Sequence, residues 1–179
     1  MLPKLLIATV LATLAVIPLA EAKHIPGRPC SDCASHKHWP TITGVIKKAK
    51  NRSVKYRGTS KPDELLGHHG SDFLSGRGGS DILWGDWQGP GNTEAQSDTI
   101  YGGDGSDFIY ASHGRNVIRG GRGNDAISAH FGRGLIDCGP GRDIYHVARS
   151  RRDGWRVRHC ERVDYRSERQ RGGGLKPLE

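Results

Sequence analysis

From Gly58 to His146 the chain repeats itself every nine residues, and few folds can accommodate that period. The blocks GHHGSDFLS (67–75), GRGGSDILW (76–84), GGDGSDFIY (102–110) and GGRGNDAIS (120–128) show it most clearly. GTSKPDELL (58–66), ASHGRNVIR (111–119), AHFGRGLID (129–137) and CGPGRDIYH (138–146) keep the same register. Gly85–Tyr101 holds one further block with an eight-residue insertion and ends SDTIY. The sixth place is Asp in seven of these nine blocks: Asp63, Asp72, Asp81, Asp98, Asp107, Asp125 and Asp143. Asn116 and Gly134 occupy the other two. The eighth place is Leu, Ile or Tyr throughout, from Leu65 to Tyr145.

Glycine at this density is a poor choice inside a helix or strand, because its backbone loses the most entropy on ordering. Each block therefore reads as a glycine loop followed by a very short strand. Strand alternation turns the eighth residue inward and its two neighbours outward. One apolar residue per block makes a thin core, which only the stacking of many blocks can close.

Blocks 102–110 and 120–128 match the pattern G-G-x-G-x-D-x-U-x in full, and the others match in part. The sequence here resembles the calcium-binding repeats of RTX, or haemolysin-type, proteins. The resemblance implies an all-β fold, a parallel β-roll (a β-solenoid) of nine nonapeptide repeats, with Ca²⁺ held between stacked loops. Calcium takes six to eight oxygens from carboxylates and backbone carbonyls. Glycine loops turn carbonyls towards one point, and one Asp per loop supplies charge. With two blocks per turn, alternate loops share an edge. One edge then collects Asp63, Asp81, Asp107, Asp125 and Asp143, with Gly76, Gly78, Gly102, Gly103, Gly105, Gly120, Gly121 and Gly123 in its loops. Three calcium sites are expected between successive members from Asp81 to Asp143. A fourth, weaker site is expected between Asp63 and Asp81, where Pro62 and missing glycines spoil the loop GTSKPD. The opposite edge has lost two carboxylates and is interrupted by the insertion, leaving Asp72 and Asp98 to share one ion.

Outside the repeats, residues 1–22 read as a secretory signal peptide. Lys4 precedes an apolar run, and Ala20-Glu21-Ala22 forms a small-residue cleavage site. The apolar run is short for a membrane anchor, and no later stretch is long enough to span. The expectation is a secreted, extracellular protein. Charge is segregated: +8 over 23–57, −5 over 58–146 and +5 over 147–179. An acidic, cation-binding centre between basic flanks argues against a nucleic-acid partner. It leaves cell-surface polysaccharide or another protein as candidates alongside calcium.

Residues 23–57 form a basic N-terminal segment and a candidate lid, and 147–179 a hairpin cap with a basic tail. Asp153-Gly154 is the hairpin signal. Four cysteines in an exported chain allow three pairings. The hairpin is read as stapled by Cys138–Cys160, an ending similar to those of secreted proteins of this repeat type. Cys30 and Cys33 then pair with each other or, with His24, His36 and His38, bind zinc. No catalytic constellation stands out, and the expectation is a protein that is not an enzyme. His68, His69, His113 and His130 crowd the interrupted edge, where a transition metal or an unrecognised active site is the alternative. The outward residues Ile82, Trp84, Phe108, Tyr110, Ala126, Ser128, Ile144 and His146 form a stripe. It is either a binding face or the seat of a covering segment.

Overall fold

The computed structural model describes residues 38–87, 95–166 and 176. The leading segment 1–22, Cys30 and Cys33 lie outside the described residues, as does most of the basic tail. In chain order the strands are β1 (Ile46–Lys48), β2 (Lys55–Arg57), β3 (Glu64–Leu66), β4 (Phe73–Gly78) and β5 (Ile82–Trp84). There follow β6 (Ser97–Asp104), β7 (Phe108–Tyr110), β8 (Arg115–Arg122), β9 (Ala126–Ser128) and β10 (Arg133–Asp137). The last are β11 (Ile144–His146), β12 (Trp155–Arg158) and β13 (Arg162–Asp164). Odd-numbered strands build one seven-stranded sheet and even-numbered strands a six-stranded one, with every pairing parallel. The chain winds from one sheet to the other through about six turns, an all-β parallel β-solenoid with the form of a β-roll.

The period explains the register. Tyr145 pairs with Ile127 and Ile127 with Ile109, eighteen residues apart each time. Leu65, Leu83, Ile109 and Ile127 from one sheet meet Leu74, Ile100, Ile118 and Ile136 from the other, all fully buried. At about 25 cal/mol per Å² of apolar surface, this single file is the main favourable term the roll has.

Two expectations need correcting. The residues after the repeats do not form a hairpin: β12 pairs with β10 and β13 with β11, both parallel. Asp153-Gly154 ends a 3₁₀ turn (Arg149–Gly154) instead. A hairpin would cover only one open sheet edge, whereas this winding satisfies the exposed N–H and C=O groups of both sheets. It also extends the core through Trp155 and Val157. Cys138–Cys160 is a disulfide, joining the final turn to the one before it. Nor do nine units describe the roll. Its strands run past 58–146 at both ends, and β1 and β2 lie in the basic segment read as a candidate lid. Val54 stands where the repeats have Asp and is buried, so this turn carried no visible signature.

The outward stripe on the odd-numbered sheet is covered. Trp39 packs edge-on against Trp84 and Tyr110, 6.4 and 5.8 Å between ring centroids, and its Nε1 donates to Tyr110 Oη at 2.8 Å. Ile42 joins the same cluster. Tyr110 is left 5% exposed and Trp84 half-buried. This stripe is a packing surface for residues 39–42, not an open binding face.

Candidate metal-binding edge

Asp81, Asp107, Asp125 and Asp143 lie in one column on the edge where the even-numbered strands pass to the odd-numbered ones. Each is fully buried. Their Oδ1 atoms form a ladder. Asp63 N donates to Asp81 Oδ1 at 2.8 Å, Asp81 N to Asp107 at 2.8 Å, Asp107 N to Asp125 at 2.9 Å, and Asp125 N to Asp143 at 2.7 Å. Their Oδ2 atoms are buried with no hydrogen-bond partner. Such an oxygen costs free energy unless a cation or proton meets it.

The first glycine of each loop shows where that oxygen points. A Cβ on Gly102 would overlap both Asp107 Oδ2 and the Gly120 carbonyl. Gly76 is placed in the same way against Asp81 and the Gly102 carbonyl, and Gly120 against Asp125 and the Cys138 carbonyl. A carboxylate oxygen and the next turn's carbonyl thus converge on one spot, which the missing side chain leaves clear.

In the loops of Asp63, Asp72, Asp81, Asp107, Asp125 and Asp143 the second place decides whether Oδ2 stays open. Gly103, Gly121 and Gly139 have φ of 127°, 120° and 102°, and Arg77 is held at 80°. In this left-handed backbone the N–H does not reach the Asp, and Gly121 N donates to the Cys138 carbonyl instead. Thr59 and His68 occupy the same place without positive φ. There Thr59 N donates to Asp63 Oδ2, and His68 N to Asp72 Oδ2 at 2.9 Å. Asp63 also accepts from the Thr59 hydroxyl and from Val45 N, so it has no free oxygen.

Gly78 is less important than expected. It stands third in its loop, has no positive φ, and a Cβ there would meet nothing closer than 3.7 Å. Gly79, fourth in the loop at φ 101°, is the glycine this turn requires, as Gly105 and Gly123 are in theirs. Glu161 was also missed. It lies eighteen residues beyond Asp143 and accepts Asp143 N at 2.6 Å, closing the column. The period itself pointed to it.

On the opposite edge Asp72 and Asp98 are adjacent, with Asp72 N donating to Asp98 Oδ1 at 2.7 Å. Their other oxygens are taken. Asp72 Oδ1 accepts Val54 N at 2.8 Å, and Asp98 Oδ2 accepts the Ser112 hydroxyl. Asn116 completes this turn by donating to the Ser112 carbonyl at 2.9 Å. Asp86, from the insertion, accepts Gln96 Nε2 and His113 N. The four histidines are spread along this edge. His68 packs on His69, His113 stacks on Phe131, and His130 meets the Ser128 hydroxyl.

Burial raises the carboxyl pKa values along the column, to about 7 for Asp81, 8 for Asp107, 7 for Asp125 and 6 for Asp143. Neighbouring carboxylates push in the same direction. The column therefore holds its negative charge poorly without a counter-ion. Among the described residues no three His, Cys, Asp or Glu side chains converge as a metal site. A cation here would draw most of its ligands from loop carbonyls, the donor set that suits a hard ion such as calcium rather than zinc.

Among the described residues no helix is long and apolar enough to cross a membrane. No curated protein and no solved structure matches the chain significantly. Residues 57–88 and 93–133 match the family model of the RTX calcium-binding nonapeptide repeat, in four copies. Within these two stretches the chain carries RTX calcium-binding nonapeptide repeats.

Proposed function

We propose that this is a secreted, non-enzymatic calcium-binding protein whose β-roll is completed outside the cell by Ca²⁺. The observation that carries the reading is the column of buried Asp oxygens with no partner. The ions would sit between successive turns, at Asp81 and Asp107, Asp107 and Asp125, and Asp125 and Asp143, with loop carbonyls around Gly76, Gly102, Gly103, Gly120 and Gly121. Asp63, Asp72 and Asp98 are already satisfied by protein donors and are left out of the set. Secretion through residues 1–22 agrees with the Cys138–Cys160 disulfide, since such bonds persist in oxidising compartments.

Binding that exists only in the folded state stabilises that state, so calcium and folding should be linked. The test is calorimetric titration of the mature chain with circular dichroism in parallel. Millimolar calcium, the range of extracellular modules at about 10⁻⁴–10⁻³ M, should raise the β signal and the melting temperature. An identical spectrum and melting temperature with calcium and with chelator would sink the reading.

A further inference from the structure

Among the described residues no segment covers the outer face of the even-numbered sheet, unlike that of its partner sheet. Two rows of outward side chains cross it. In register, one runs Lys55, Phe73, Thr99, Val117, Leu135, Arg156. The other runs Arg57, Ser75, Tyr101, Arg119, Asp137, Arg158. Lys55, Arg57, Arg119, Arg156 and Arg158 are exposed, and the residues between them are half-buried. At the strand spacing of about 4.8 Å, six strands make a strip roughly 24 Å across. Cations stand at both ends of it and one near the middle.

The middle is also aromatic. Tyr101 and Phe73 lie 5.6 Å apart, and the Arg119 guanidinium sits 5.2 Å from the Tyr101 ring while Nη1 donates to Tyr101 Oη at 2.7 Å. A flat ring beside a fixed guanidinium can stack on a sugar and pair with an acidic group on it.

We infer that this face binds an anionic polysaccharide laid across the strands. The charge pattern calls for a polyanion. The Ser75 and Thr99 hydroxyls, interleaved with the cations, call for one that carries hydroxyl groups, and so does the Asp137 carboxylate beyond its Oδ1, which already meets His159 Nδ1 at 2.7 Å. A DNA backbone supplies anionic phosphates but no hydroxyl groups for Ser75, Thr99 or Asp137. A bilayer would need protruding apolar side chains, and the large hydrophobic residues exposed among the described residues, Ile46 and Phe131, are not in these rows. The inference goes beyond calcium binding, because the face lies on a sheet and not on the metal-binding edge.

The test measures affinity for polygalacturonate, dextran sulfate, neutral dextran and DNA, at physiological salt and a matched free calcium concentration. Binding to either acidic polysaccharide but not to dextran is expected, and the two acidic arms separate carboxylate from sulfate recognition. Tyr101→Ala with Arg119→Ala should weaken binding about tenfold or more, the scale of one or two stacking and ion contacts. Arg57→Glu with Arg158→Glu should do the same without touching the ring, in case the first variant fails to fold. Arg151→Glu with Arg152→Glu, exposed in the 3₁₀ turn and belonging to neither row, should change it less than twofold. Absence of binding to both acidic polymers, tighter binding to DNA, or equal losses in the Arg151/Arg152 variant would overturn the inference. Polysaccharide binding without any calcium response would instead overturn the calcium reading and leave this one standing.

Discussion

Asp107 and Asp98 stand at equivalent places on opposite edges of the roll. Each is fully buried, and each accepts a backbone N–H from the preceding turn through one oxygen. They differ in the other oxygen. Asp98 Oδ2 accepts the Ser112 hydroxyl, whereas Asp107 Oδ2 has no partner. The same contrast separates Asp72 from Asp125. An Asp in the sixth place is thus not by itself the mark of an ion site. At Asp107 and Asp125 a left-handed residue in the second place keeps the carboxylate open; at Asp72 a residue there with ordinary φ lets its own N–H close it, and at Asp98 the Ser112 hydroxyl does so. The Asp72 and Asp98 carboxylates are closed by protein donors, whereas those of Asp81, Asp107, Asp125 and Asp143 each keep one oxygen for something from outside.

The largest expected effect is a reversal of sign between the edges. Asp107→Asn removes charge while keeping the Oδ1 that accepts Asp81 N. It also puts an amide donor near the Gly120 carbonyl. Without calcium the variant should be more stable than the parent at pH 8, and its calcium midpoint should rise about tenfold or more, as two proposed sites lose a ligand charge. Asp72→Asn places an amide group against an N–H, from Val54 or His68, that now has an acceptor. It should lose about 1–3 kcal/mol with or without calcium and leave the midpoint where it was. Urea melts at several calcium concentrations measure both. Two variants of the same sign would collapse the distinction.

A second test uses protons in place of calcium. Asp81, Asp107 and Asp125 have folded-state pKa values near 7 to 8, above the usual carboxylate range, first because they are buried. A folded state that holds its protons more tightly than the unfolded chain is favoured at low pH. This contribution is complete below the unfolded value near 4 and is lost as pH rises through the folded values. Calcium-free protein should therefore melt higher at pH 5.5 than at pH 8.5, and calcium should bind more tightly at the higher pH with release of protons. Asp98, near pKa 7 for the same first reason, adds to the trend from the other edge. Asp107→Asn should flatten the dependence without removing it. A melting temperature that climbs with pH in the presence of chelator would contradict the raised values.

Most of the architecture was legible because a nine-residue period leaves so few solutions. It placed every strand between Glu64 and His146 and put alternate Asp residues on the same edge. The turns at the ends were not legible, since they carry the winding without the signature. Val54 replaces Asp, and η1 (Arg149–Gly154) shifts the register of β12 by three residues against the eighteen-residue spacing kept by β13. The state of each carboxylate was not legible from a count of Asp and Gly either. That depends on φ at the second place, which glycine permits but does not announce.

Arg77 provides the finest test of that dependence. It holds the left-handed backbone at the second place of GRGGSD, where the neighbouring turns on this edge have Gly103, Gly121 and Gly139. A residue with a Cβ is disfavoured there by about 1–2 kcal/mol, and Arg77 is exposed, so little packing offsets the strain. Arg77→Gly should relieve it and stabilise the roll by about 1 kcal/mol, the net after glycine's added freedom in the unfolded chain. Asp81 should stay open and its calcium response should be kept. The converse change at an equivalent place on the other edge is His68→Gly, which frees the backbone that now donates to Asp72. If left-handed φ opens the carboxylate, this variant gains a measurable calcium response that the parent edge lacks. Should Arg77→Gly destabilise the protein, or His68→Gly leave its calcium stoichiometry unchanged, the second place would not be what divides the two edges.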